Sequence, residues 1–63
     1  MKSPTESEKE ILREAKAYFG RHWRADVHEA WLNGNYRGFP KDYALQRMRN
    51  NPDREWVLER VKI

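Results

Sequence analysis

Gln46, Arg47, Arg49 and Asn50 stand together in the stretch LQRMRNN. These are the side chains that form paired hydrogen bonds with base edges, Arg with guanine and Gln or Asn with adenine. With Leu45 and Met48 turned inward on a helix, Gln46, Arg49 and Asn50 fall at i, i+3 and i+4 on an outward face, with Arg47 beside them. Arg21, Arg24, Arg37 and Lys41 would add phosphate contacts if the chain folds them to the same side. The same arginines also suit the last turn of a helix, where cations offset the negative end of the dipole, so capping and nucleic-acid contact are both open on spacing alone.

A second chemistry is carried by aromatic rings. The chain holds eight of them against nine Leu, Ile and Val residues together. Each ring can bury about 150–250 Å², so a few form a small core. Those left outside would form a patch rimmed by Arg, with Trp31, Tyr36, Phe39 and Trp56 as the candidate partner-binding residues. A homodimer closed by the C-terminal segment or by a helix face is a third form of association.

Catalytic and metal patterns are weaker. The run HEAWL at His28 to Leu32 lacks the second His that a zinc-protease helix requires four residues after the first. His22, Asp26 and Glu29 share one polar helix face and form a candidate weak metal or acid-base cluster, for which a solvated face with local hydrogen bonds is the simpler reading. There is no Cys and no Gly-rich phosphate loop, and the only serines, Ser3 and Ser7, have no base placed beside them. A chain of 63 residues hardly encloses a substrate pocket of several hundred Å³. No enzyme activity, cofactor, metal or small-molecule substrate is therefore expected.

Charge is modest overall and uneven along the chain. The formal net charge is +3. Residues 1–20 balance Lys2, Lys9, Arg13 and Lys16 against Glu6, Glu8, Glu10 and Glu14, so the whole excess lies in residues 21–63. Eight of the thirteen cations are Arg, which favours forked recognition of phosphate or carboxylate. No apolar run approaches the roughly 20 residues of a membrane span, and MKSPTESEKE lacks the apolar stretch of a signal peptide. A cytoplasmic protein without membrane contact is expected.

These residues must be positioned by a small single domain spanning residues 1–63, with residues 1–5 frayed. So short a chain buries only roughly 60% of its unfolded surface, and without disulfides its stability must come from packing or a partner. SPTE predicts a helix start, with Ser3 as cap and Glu6 closing a capping box; SEKE from Ser7 offers the same device one turn later. Leu12, Ala15, Phe19, Trp23, Val27, Ala30 and Trp31 then fall three or four apart, and the pattern runs to Leu32. Because the stripe keeps its phase across Gly20, one long amphipathic helix is expected.

Asn33 and Gly34 end that helix, and Gly38 with Pro40 complete a corner in which Tyr36 or Phe39 should tuck back. PKDYALQRMRNN predicts a second helix, stopped by Asn51-Pro52. The tail REWVLERVKI fits a helix through Val57 and Val61, or a strand through Val57, Glu59, Val61 and Ile63; its β-branched ending favours the strand. The fold class expected is mainly α: a long N-terminal helix, a Gly/Pro corner, a second short helix and a short C-terminal strand or helix. The functional expectation is a non-enzymatic regulatory binding protein. It would contact nucleic acid through Gln46, Arg47, Arg49 and Asn50, supported by Arg37 and Lys41; the alternative is a protein-interaction module or homodimeric adapter using the aromatic and Arg surface.

Overall fold

The computed structural model describes residues 4–63, so the Ser3 cap and most of the segment expected to fray lie outside the described residues. Four helices follow one another: α1 (Glu6–Phe19), α2 (Trp23–Asn33), α3 (Asp42–Arg49) and α4 (Arg54–Arg60). α2 packs on α1 and α4, and α3 packs on α1. The mainly helical class is as expected, while two elements differ.

α1 is opened by Thr5. Its hydroxyl accepts from the Glu8 amide at 3.1 Å, and the Glu8 carboxylate accepts from the Thr5 amide at 2.9 Å. The capping box is thus TESE, between the two starts expected from SPTE and SEKE, and it satisfies two amides that would otherwise lack partners. Ile11, Leu12 and Ala15 form the buried stripe of α1.

The expected long helix is broken at Gly20. This residue has φ 95° and ψ −151°, a region open essentially to glycine, and its N–H closes α1 on the Lys16 carbonyl at 2.9 Å. Gly20, Arg21 and His22 form the turn before α2. Packing explains the break: an unbroken helix over residues 6–33 would be roughly 42 Å long, whereas the molecule extends 32 × 21 × 17 Å. Folding at Gly20 lets the apolar faces of α1 and α2 bury one another. Leu12, Ala15, Trp23, Val27, Ala30 and Trp31 all enter the core, with Phe19 partly buried against it.

α2 ends where the sequence places it. Gly34 is left-handed (φ 72°), and its N–H reaches the Ala30 carbonyl at 2.7 Å. In the corner that follows, Tyr36 and Phe39 are both buried. Phe39 joins Tyr18 and Phe19 in a ring cluster with centroids 5.1–5.7 Å apart. The Tyr18 hydroxyl donates to the Arg37 carbonyl at 2.7 Å, fastening the corner to α1.

Residues 54–60 form a helix, not a strand. A strand requires a paired neighbour, and the described residues contain none. Val57, Leu58 and Val61 instead share one helical face and are buried; Leu58 would have pointed away from the valines in a strand. Asn51 starts this element, its side-chain oxygen accepting from the Asp53 amide at 2.9 Å. Arg24 of α2 holds the other end. One guanidinium nitrogen donates to the Leu58 carbonyl and the second to the Val61 carbonyl at 2.8 Å. Lys16 donates to the Ile63 carbonyl at 2.6 Å. Arg24 thus meets the negative end of a seven-residue helix that has little stability of its own, and Lys16 ties down the chain beyond it.

An Ala at Gly20 would meet no atom within 4 Å, so its penalty is conformational. Gly20→Ala is expected to lower stability by about 1–3 kcal/mol in urea unfolding. A stabilised variant would mean that residues 6–33 can run as one helix.

Candidate nucleic-acid interface

α3 owes its orientation to three buried side chains. Leu45 and Met48 enter the core from α3 itself. Trp31, only 2% exposed, donates its indole N–H to the Leu45 carbonyl at 3.0 Å. This contact locks α3 about its own axis. The opposite side then carries Tyr43, Gln46, Arg47 and Asn50, at i, i+3, i+4 and i+7, and all four are exposed.

Of the nucleic-acid residues expected from the sequence, Gln46, Arg47 and Asn50 therefore stand together. Arg49 is exposed but lies on the flank nearer Tyr36, whose phenol feels its charge. Arg47 and Arg49 make no hydrogen bond through their guanidinium groups, and no ion pair, among the described residues.

Arg37 and Lys41 are placed differently. Arg37, a non-glycine residue at φ 51°, reaches Asp26 at 3.3 Å and Glu29 at 2.9 Å. Lys41 reaches Glu14 at 2.8 Å. All of these pairs are partly solvated and add little stability, but each fastens the corner to a helix. A phosphate would have to displace carboxylates to use either cation. Arg24 is likewise committed to the carbonyls of α4.

Carboxylates also bound the face on its α1 side. A groove of about 220 Å³ between α1 and α3 is lined by Glu8, Ile11, Ala44, Arg47, Met48 and Asn51 among others. Glu8 there accepts from the Asn51 amide group at 2.8 Å. A smaller groove of about 160 Å³ places Glu10 and Glu14 beside Lys41 and Tyr43. Tyr43 borders this second groove, so a polyanion on the outer side of α3 would have to keep its phosphates toward the flank that bears Arg49.

The partner-binding set is mostly internal. Trp31, Tyr36 and Phe39 are 2%, 7% and 4% exposed, so they form core and not an outer patch. Trp56 is half-buried beneath Arg60, whose guanidinium carbon lies 5.1 Å from the ring centroid. Three large apolar residues are exposed among the described residues: Tyr18, tied to the corner through its hydroxyl, and two others. Tyr43 is 58% exposed, and its signal is its position three and four residues before Gln46 and Arg47. Leu32 is 62% exposed and lines a groove of about 500 Å³ between α2 and α4 with Ala25, Leu58, Glu29, Glu55 and Glu59.

The His22, Asp26 and Glu29 cluster resolves into the Arg37 ion pairs, with His22 exposed. His28 meets Glu55 of α4 at 3.0 Å. No group of three His, Cys, Asp or Glu side chains among the described residues is placed to hold a metal ion. No helix among them is long and apolar enough to cross a membrane. No protein-family model, curated protein or solved structure matches the chain.

Among the described residues, two titrations are displaced upward. The Tyr36 phenol lies above its ordinary 10.0 because burial disfavours the anion; the Arg49 charge opposes this and Asp42 adds to it. Lys41 lies above 10.5 because it donates to Glu14 and is attracted by that charge. In both cases the folded chain holds its proton more tightly than the unfolded chain. The associated stability is complete below pH 10 and is lost as pH rises through the folded values. The Tyr36 hydroxyl is also buried without a hydrogen-bond partner among the described residues. Tyr36→Phe is accordingly expected to raise stability at neutral pH by about 1 kcal/mol and to reduce its alkaline loss, measured by urea unfolding across pH. A destabilised variant would show that the hydroxyl is satisfied.

Proposed function

We propose that the protein is a small, non-enzymatic regulatory binding module that contacts nucleic acid through the outer face of α3. Arg47 supplies charge, Gln46 and Asn50 supply hydrogen bonds to base edges, and Arg49 stands at the flank. The observation that carries this reading is the division among the cations. Arg24, Arg37 and Lys41 are tied to acceptors within the fold, while Arg47 and Arg49 lie exposed beside two amides with no carboxylate bound to them. The helix dipole accounts for the charge of the two arginines but not for Gln46 and Asn50, which gain nothing from the core, so the set as a whole is better matched to an external acceptor.

The groove between α2 and α4 supports a second reading, a protein-docking module, because Leu32 leaves its side chain in water beside Ala25 and Leu58. Three glutamates rim this groove, so a basic, apolar peptide is the chemistry it would take.

The test is the affinity of labelled oligonucleotides across a salt series. Arg47→Ala should weaken binding and lower the magnitude of the logarithmic salt slope by about one, with folding intact. Oligonucleotide binding that is absent or unchanged by Arg47→Ala would remove the α3 reading, and a basic, apolar peptide that binds the protein but not its Leu32→Asp variant would place the function in the second groove.

A further inference from the structure

Tyr43 holds the position on the proposed face that the fold explains least. Trp23, Trp31, Tyr36 and Phe39 are buried, and Phe19 packs in the ring cluster. Trp56 lies under Arg60. Tyr18 is also exposed, at 47%, yet its hydroxyl holds the Arg37 carbonyl and its ring meets Phe19 and Phe39. Tyr43, at 58%, makes no hydrogen bond or ring contact among the described residues. Nor does helix propensity favour it, since Tyr is a poorer helix former than Ala, Lys or Glu at a solvated site.

From this we infer that the α3 face takes unpaired bases, with Tyr43 as a stacking platform; the inference rests on the nucleic-acid reading of that face. Two observations separate single strands from duplex. In a duplex the faces of the bases are covered by their neighbours, so an exposed ring finds only edges and backbone. A single strand offers a free π-face, and stacking on Tyr accepts any base. Gln46 and Arg47 stand one turn beyond the ring, within reach of the edge and phosphate of the same nucleotide or the next.

The second observation is electrostatic. A helix seated in the major groove has a phosphate backbone on each side. α1 places Glu8, Glu10 and Glu14 along one side of α3, where one of those backbones would run. Glu8 and Glu14 are held by Asn51 and Lys41, while Glu10, whose charge also reaches Lys41, is exposed and makes no hydrogen bond or ion pair among the described residues. A single strand has one backbone and can keep it on the far side, near Arg49. The arrangement tolerates one chain of phosphates and opposes two.

The experiment uses the full chain and three fluorescently labelled probes: a short mixed-sequence DNA strand, the RNA strand of the same sequence, and the corresponding DNA duplex, followed by anisotropy at low salt. The single strands should bind more tightly than the duplex. Tyr43→Ala should weaken single-strand binding by about 5- to 100-fold, and Tyr43→Phe, which keeps the ring, should restore most of it. Equal affinity for DNA and RNA strands would assign the contact to bases alone, and an RNA preference would add the 2′-hydroxyl; both support stacking. If Tyr43→Ala has no effect while Arg47→Ala still weakens binding, the stacking role is wrong and the nucleic-acid reading survives. If no probe binds, both fall.

Discussion

Trp31 joins the two halves of the molecule with one side chain. Its ring fills the centre of the core, and its indole N–H ends on the Leu45 carbonyl of α3. Burying an indole without a partner for that N–H would be unfavourable, so the hydrogen bond fixes where α3 lies as well as the burial does. An eight-residue helix has too few turns to persist alone. Its rotation, and therefore the identity of every residue on its outer face, follows from this anchor together with Leu45 and Met48.

The remaining strength of the fold comes from side chains that reach across it to the ends of short elements. Arg24 and Lys16 gather the C-terminal carbonyls around α4, Tyr18 holds the corner backbone, and Glu8 serves both the start of α1 and Asn51 after α3. In a chain with no disulfide and a small core, such contacts decide which helix termini stay ordered. They also sort the basic residues. Those used as staples lie near carbonyls or carboxylates, and those on the outer arc of α3 do not.

The apolar stripe, the Gly34 stop, the buried corner rings and the inward and outward sides of α3 are all legible in residue spacing and glycine placement. The break at Gly20 is not, because three turn residues advance the chain by nearly one helical turn and leave the stripe in phase. The C-terminal helix is ambiguous in sequence because Val57 and Val61 satisfy both periods; Leu58 decides between them only when its burial against α2 is known. At the candidate site, residue spacing puts Gln46, Arg49 and Asn50 on one face with Arg47 beside them, whereas in the folded chain Arg47 joins Gln46 and Asn50 and Arg49 lies at the flank. The carboxylates that hold Arg37 and Lys41 come from other helices, Glu14 lying 27 residues from Lys41, and no local pattern reveals such pairs. Tyr43 is hidden among rings whose composition suggests a core.

The central claim is that the outer arc of α3 is the surface that meets nucleic acid. It is tested most directly by mapping backbone amide shifts of the isotopically labelled chain during titration with a single-stranded oligonucleotide at low and moderate salt. The expected result is a contiguous set of shifts at residues 43–50 that shrinks as salt rises, with Leu32 and Leu58 unmoved. Shifts centred on the groove between α2 and α4, or none at low salt, would contradict it.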